Sequence, residues 1–379
     1  MSKKNHPGSL SRRKFLAATG GLPAVASLIS ATPAAAKGGA MPAASPSAAP
    51  EAVPSPLRKI PIGVFDPVYK DLSLDSMLDK ISALGIEAVE IGTGGYPGAT
   101  HCPVEELLAD NAKAQAWKKK FTDRNIEVAT FSCHGNPISP DTKLARESDE
   151  NLRNTVRLAE MLDVKVIVCF SGCAGAFPGA VVPSWITYRW PPEHDKALKW
   201  QWEEKLIPYW KGIIPFLRGH GMKRIALEMH PNFMVYNPKT LLKLRNAVGE
   251  EIGANCDLSH LFWQGCEPVE VIHLLAKNNC LFHAHMKDTV IVPEETAKFG
   301  VLNFPDDPAK ATEGSVYFRA VGYGHGAALW KRVIQAYMEV GFEGIMSIEN
   351  EDSLLSGETG VERSFYVIKN VRDEILAGK

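Results

Sequence analysis

RIALEMHP (residues 224–231), ANCDLSH (254–260), LFHAHMKD (281–288) and GIMSIENED (344–352) decide the fold of this chain. Each begins rich in apolar residues and then delivers a hard metal ligand: Glu228, Asp257, His285 and Glu349. A short apolar run bounded by polar residues suits a buried parallel strand. The first three stretches are spaced by about one βα unit, and the fourth follows roughly two units further on. The pattern is that of four strands of one barrel aiming three carboxylates and an imidazole at one point.

Outward from these stretches, apolar runs alternate with amphipathic ones from Ile60 onward. IPIGVF, AVEIG, EVATFSCHG and VKVIVCFSG read as the first four strands, and the four quoted stretches as strands five to eight. Helices are expected over residues 74–84, 105–121, 151–162, 200–218, 238–248, 268–277, 329–340 and 361–376. Gly85, Gly221 and Gly341 each stand just past a helical stretch, where a left-handed cap is common. Strands alternating with helices imply parallel pairing, because parallel strands need crossover connections. Eight such units predict an α/β fold, a (β/α)8 TIM barrel with long insertions after strands four and seven. An open doubly wound sheet is the alternative. It lacks its usual glycine-rich fingerprint after the first strand, and Gly92-Thr93-Gly94-Gly95 has the wrong later spacing.

The chain carries a net charge of -1 and is 45% hydrophobic, an ordinary globular balance that argues against a broad nucleic-acid-binding surface. Ser11-Arg12-Arg13-Lys14-Phe15-Leu16 is a twin-arginine export motif. A weakly apolar stretch and Ala34-Ala35-Ala36, a small-residue cleavage site, follow it. Residues 1–36 are therefore expected to be a signal peptide and 37–59 an Ala/Pro/Ser linker, with the barrel over 60–379. The partner of this segment would be the twin-arginine export machinery, and the mature protein would be periplasmic without stable membrane insertion. A membrane anchor is the bland alternative. Its apolar run is short and rich in Ala and Gly. Seven cysteines form no disulfide framework. Cys169 and Cys173 are close enough in sequence to pair in an oxidising compartment. Self-association into a homo-oligomer is left open.

In a barrel, function gathers at the C-terminal ends of the strands. Each strand-end polar residue has a bland reading, a salt bridge or a packed histidine, but four consecutive strands supply such residues here. Three carboxylates and one imidazole make a hard, oxygen-rich site, which favours Mn²⁺ or Mg²⁺, with Co²⁺, Fe²⁺ or Zn²⁺ as substitutes. Such a cation would bind adjacent carbonyl and hydroxyl oxygens of a sugar and stabilise the enediolate left when the α-proton departs. Glu228 and Glu349 could then act as base and acid.

ALEMHP, CDLSH, HAHMKD and SIENED, in this order, resemble the xylose isomerase-like TIM barrel superfamily, in its sugar phosphate isomerase/epimerase branch with ketose 3-epimerases and inosose dehydratases. The resemblance covers about Ile60 to the C-terminus. It implies metal ligation by Glu228, Asp257, His285 and Glu349, and proton transfer by Glu228 and Glu349. It also implies that His260 contacts substrate or metal. His283 shares a strand face with His285. The resemblance favours His285 as ligand, because a single residue, Met286, separates it from Lys287-Asp288, and leaves His283 behind it. His134 and His230 are expected to line the pocket. Arg319, ahead of Gly322-Tyr323-Gly324-His325-Gly326, is expected to face substrate, although His325 replaces a commonly acidic residue there. Trp185, with Tyr188, Trp190, Trp200 and Trp202, offers a carbohydrate platform, or else packs the insertion onto the barrel.

The leading expectation is metal-dependent isomerisation or epimerisation of an unphosphorylated sugar or keto-sugar, since export disfavours a sugar phosphate. A metal-dependent lyase or hydratase of a 3-keto sugar, glycoside or inosose starts with the same proton abstraction. A non-catalytic sugar-binding protein is a third reading, and an apurinic endonuclease is a remote fourth.

Overall fold

In the computed structural model, which describes residues 57–379, eight parallel strands close on themselves. They are β1 (Ile62–Phe65), β2 (Ala88–Gly92), β3 (Glu127–Ser132), β4 (Val166–Cys169), β5 (Arg224–Glu228), β6 (Ile252–Asn255), β7 (Leu281–Met286) and, after an antiparallel hairpin of β8 (Asp288–Ile291) and β9 (Val316–Arg319), β10 (Met346–Ile348). The order around the barrel is β1-β10-β7-β6-β5-β4-β3-β2, so the (β/α)8 expectation holds. The export motif and nearly all of the linker lie outside the described residues.

The strands are buried on both faces, as in IGVF, AVEIG and VIVC. Their inner faces fill the barrel and their outer faces meet helices. β6 and β7 approach so closely at Gly253 that a Cβ there would lie 2.2 Å from the Phe282 ring.

Helix ends follow local capping chemistry. α1 (Leu74–Leu84) starts where Ser73 accepts from the Ser76 N–H and stops at Gly85, whose φ is +93°. The expected helix over 105–121 is two helices, α2 (Val104–Ala109) and α3 (Asn111–Thr122). Asp110 between them is extended, and its carboxylate caps the N–H groups of Ala112 and Lys113. α4 (Thr142–Leu162) begins well before Asn151, because Asp141 caps Lys143 and Leu144. The helix expected over 200–218 is α5 (Pro192–Trp200), a π-helical turn (Gln201–Leu206) and α6 (Ile207–Gly219).

Residues 170–191, after β4, hold no helix or strand. Buried Gln201 pins them by donating to the carbonyls of Ala174, Gly175 and Ser184 at 3.0, 3.1 and 2.8 Å. The β8–β9 hairpin follows β7. Asp288 at its start accepts N–H groups from Gly322, Gly324 and His325 and the Trp330 indole N–H, so the Gly322–Gly326 turn wraps one buried carboxylate. All seven cysteines are free thiols, so Cys169 and Cys173 are not bridged. Among the described residues, no helix is long and apolar enough to cross a membrane.

Candidate metal centre

The barrel delivers four ligand-type side chains to one point at its C-terminal mouth. Glu228 ends β5, Asp257 follows β6, His285 stands in β7 and Glu349 follows β10. One atom from each lies within 4.8 Å of the others. Nδ1 of His285 is 3.0 Å from Glu349 Oε2 and 3.5 Å from Glu228 Oε2. Nε2 of His260 is 3.3 Å from both Glu228 Oε1 and Asp257 Oδ2. Yet His285 Nδ1, Asp257 Oδ2 and His260 Nε2 are buried atoms without a hydrogen-bond partner. Buried polar atoms are seldom left unpaired. Glu228, Asp257, His285 and Glu349, converging around such atoms, could hold a divalent cation.

Behind the ligands stands a residue that the motifs did not reveal. Glu90, in the middle of β2, is fully buried. It accepts from His283 Nε2 at 2.8 Å, His285 Nε2 at 3.1 Å, Ser347 Oγ at 2.7 Å and the Ser132 hydroxyl. His285 thus gives its Nε2 side to a carboxylate and turns Nδ1 toward the ligand cluster, the arrangement by which a carboxylate orients a metal-binding histidine. His283 takes the supporting place expected for it, with Thr130 Oγ1 3.3 Å from its Nδ1. A signal for Glu90 existed in the sequence: one carboxylate inside the otherwise apolar AVEIG.

The charges are strongly unbalanced toward the negative. Burial would make His285 harder to protonate, but the charges of Glu90 and Glu349 outweigh it and hold its pKa well above the histidine range. Burial opposes ionisation of Glu228, yet the His134 hydrogen bond at 2.9 Å and nearby imidazoles keep its pKa well below the carboxylate range. Glu349 is likewise lowered against burial, chiefly by the charge of Lys287. Both carboxylates are therefore ionised at neutral pH. Lys287 is almost fully buried, with Nζ 2.6 Å from Glu349, 2.9 Å from Glu351 and 3.2 Å from Asp257. Burial would lower its pKa, but those carboxylates raise it well above the lysine range.

A cavity of about 230 Å³ opens over these groups, walled by Phe65, His134, Phe170, His230, Lys287 and Glu351 among others. His134 and His230 line it, and His260 lies beside Glu228 and Asp257. His230 donates from Nδ1 to the Pro231 carbonyl at 2.5 Å, and burial pushes its pKa down to about 4. Gly95 lets the β2 loop reach this wall: its φ is +73°, and a Cβ there would sit 1.9 Å from the His134 carbonyl oxygen.

Two expected substrate contacts, Arg319 and Trp185, lie away from this cavity. Arg319 donates from Nε to Asp352 at 2.9 Å and clamps the hairpin to the loop after β10, so its guanidinium is not among the groups walling the cavity. Trp185 packs edge-on against Tyr236, ring centres 5.4 Å apart, in a separate hollow of about 710 Å³ that also includes Trp202 and Lys243. His325 hydrogen-bonds Asp288 through Nδ1 at 2.8 Å.

The architecture is that of a (β/α)8 barrel with a candidate metal centre at the C-terminal ends of its strands. A family model described as xylose isomerase-like TIM barrel matches residues 78–371, and the chain belongs to that family. It is 36% identical over 302 residues to the uncharacterized protein YfiH of Bacillus subtilis (strain 168), covering 79% of this chain and 95% of that one. Three solved structures share the fold. The probable 3-DHS dehydratase AsbF from Bacillus anthracis is 16% identical with a TM-score of 0.55, over 82% of this chain and 99% of that one. The IOLI protein with a bound zinc atom is 18% identical with a TM-score of 0.55, over 83% and 99%. A D-psicose 3-epimerase in the presence of D-fructose is 12% identical with a TM-score of 0.51, over 84% and 100%.

Proposed function

We propose that this protein is a divalent-metal-dependent isomerase or epimerase of an unphosphorylated sugar or keto-sugar. The observation that carries this reading is the convergence of Glu228, Asp257, His285 and Glu349 on one point around unpartnered buried atoms. Mn²⁺ is the preferred ion on the hardness of the donor set. When bound, the cation would polarise the substrate carbonyl and offset the negative charge that appears as the α-proton leaves. Asp257 holds the ion. Glu228 and Glu349 come from strands separated by two others, and both are ionised, so either can take the α-proton; that carboxylate, now protonated, can return it, or the other can pass on a proton it has drawn from water. Glu90 and His134 position His285 and Glu228.

The unphosphorylated substrate is supported by the cavity itself. Lys287 in its wall is already engaged by three carboxylates, which leaves that ammonium no charge to offer a phosphate. A second reading, a lyase or hydratase on a 3-keto sugar, glycoside or inosose, begins with the same proton abstraction by the same pair of carboxylates. We also infer export by the twin-arginine route to the periplasm, on the Arg12-Arg13 motif. The double variant Arg12→Lys, Arg13→Lys should keep the precursor in the cytoplasm, and an unaltered periplasmic yield would refute that route.

The experiment that tests the function is a panel of keto-sugars incubated with Mn²⁺-loaded protein in D₂O and followed by NMR. Deuterium at the α-carbon of a product of unchanged composition supports isomerisation or epimerisation. Gain or loss of water supports the second reading. Retention of every α-proton across the panel counts against both.

A further inference from the structure

A second hollow, of about 390 Å³, lies on the other side of His230 from the metal cavity. Its walls include Pro231, Trp263, Phe304 and Phe318, and His230 and His260 form its edge toward the ligands. The volume falls in the roughly 300–1,000 Å³ range of small-molecule pockets.

The hollow borders the metal centre across side chains that touch both. His260 reaches within 3.3 Å of Glu228 and Asp257, and its ring meets Phe318 edge-on at 5.3 Å. Lys287 lies 3.2 Å from Asp257 and also 4.6 Å above the Phe318 ring. The Phe318 backbone is held by the Ser353 N–H, which donates to its carbonyl at 3.2 Å. A ligand whose polar end lies over Glu228 and Glu349 therefore has this aromatic wall one side chain away.

The wall asks for an apolar occupant. The Thr289 hydroxyl is used by the Ser259 carbonyl at 2.8 Å, and His230 Nδ1 by Pro231. Trp263 and Phe304 meet at 85° with ring centres 6.4 Å apart, and Phe304 leaves 56% of its surface in water. Covering such a ring with apolar ligand surface is favourable.

We propose that this hollow receives an apolar, ring-sized substituent linked to the sugar at the metal cavity, so that the substrate is a glycoside or similarly substituted sugar. The proposal rests on the sugar reading of that cavity. A glycosidic bond locks the anomeric carbon, so the carbonyl beside the labile proton is then a ring ketone.

Isothermal titration of Mn²⁺-loaded protein with methyl 3-keto-β-D-glucoside, phenyl 3-keto-β-D-glucoside and phenol tests this. The phenyl glycoside should bind at least tenfold tighter than the methyl glycoside. Trp263→Ala and Phe304→Ala should each bring that ratio to within about twofold of one. The Phe304 variant alters a largely exposed ring, so it keeps the test open if the Trp263 variant does not fold. Equal binding of the two glycosides to the unaltered protein overturns the substituent pocket and leaves the sugar reading standing. A phenyl glycoside no tighter than phenol, with no methyl glycoside binding, shows instead that the sugar reading has failed, and the linked substituent with it.

Discussion

Glu90 and His285 fix one another: both oxygens of the buried Glu90 carboxylate lie 3.1 Å from His285 Nε2, which leaves Nδ1 facing Glu228 and Glu349. The ring is further stacked on Phe65, with centres 5.6 Å apart at 27°. The imidazole therefore has one free direction, and that direction is the ligand cluster. Glu90→Ala should lower Mn²⁺ affinity by about 10–100-fold, the usual cost of losing such an orienting partner, while far-ultraviolet circular dichroism stays that of the folded barrel. Calorimetric titration checks it, and unaltered affinity would show that Phe65 and the backbone orient the ring unaided.

Lys287 neutralises part of a negative cluster that burial makes costly. Lys287→Met leaves Asp257 and Glu349 facing each other without it. In the presence of chelator the variant should lose about 3–5 kcal/mol of stability, the range for breaking a buried ion pair. Saturating Mn²⁺ should recover part of the loss, because ligand binding to the native state stabilises it. Urea unfolding with and without Mn²⁺ reads both numbers, and an equal loss in the two conditions would place Lys287 outside the cation's field.

The strand ends were readable because a parallel strand buried on both faces is an apolar run, and its polar residues fall at the functional mouth. That logic located Glu228, Asp257, His285 and Glu349, and it hid Glu90. A carboxylate inside AVEIG has no place in the run until its donors are known, and they come from β3, β7 and β10, far apart in sequence. The β8–β9 hairpin was also missed. DTVI and VYFR pair across a long excursion rather than a short turn, so no turn chemistry joins them. The first turns of α4 carry charges without apolar period, and only the Asp141 cap marks their start. Arg319 was misplaced because its partner Asp352 becomes a neighbour only when the hairpin folds back.

His101 offers a pH test remote from the ligand cluster. Its Nδ1 lies 2.6 Å from Asp66 and its Nε2 3.1 Å from the Leu72 carbonyl. Burial lowers the imidazole's pKa, but the Asp66 hydrogen bond and charge override it, so the folded value is raised. The folded state thus holds the proton more tightly than the unfolded chain, whose histidine titrates near ~6.5. The stabilisation is complete below that pH and is lost as pH rises through the folded value. The thermal midpoint should fall between pH 6 and pH 8.5 by more in the native sequence than in His101→Gln. Parallel curves would contradict the assignment.

Asp288 organises the turn after β9 through four N–H donors from Gly322, Gly324, His325 and Trp330. Asp288→Ala leaves these donors without their acceptor. With about 1–3 kcal/mol for each buried group left unpaired, the variant should be among the least stable that still fold. Hydrogen exchange at Gly322 and Gly324 should rise with it, and protection retained there would mean another acceptor replaces the carboxylate.

Glu228, Asp257, His285 and Glu349 are expected to hold one divalent cation together. Titration of Mn²⁺ into the metal-free protein, followed by the electron paramagnetic resonance signal of the free ion, measures it directly. One equivalent should bind tightly, and Asp257→Asn and Glu349→Gln should each weaken that equivalent by tenfold or more while the fold persists. Binding of the first equivalent with undiminished affinity in both variants would contradict the account.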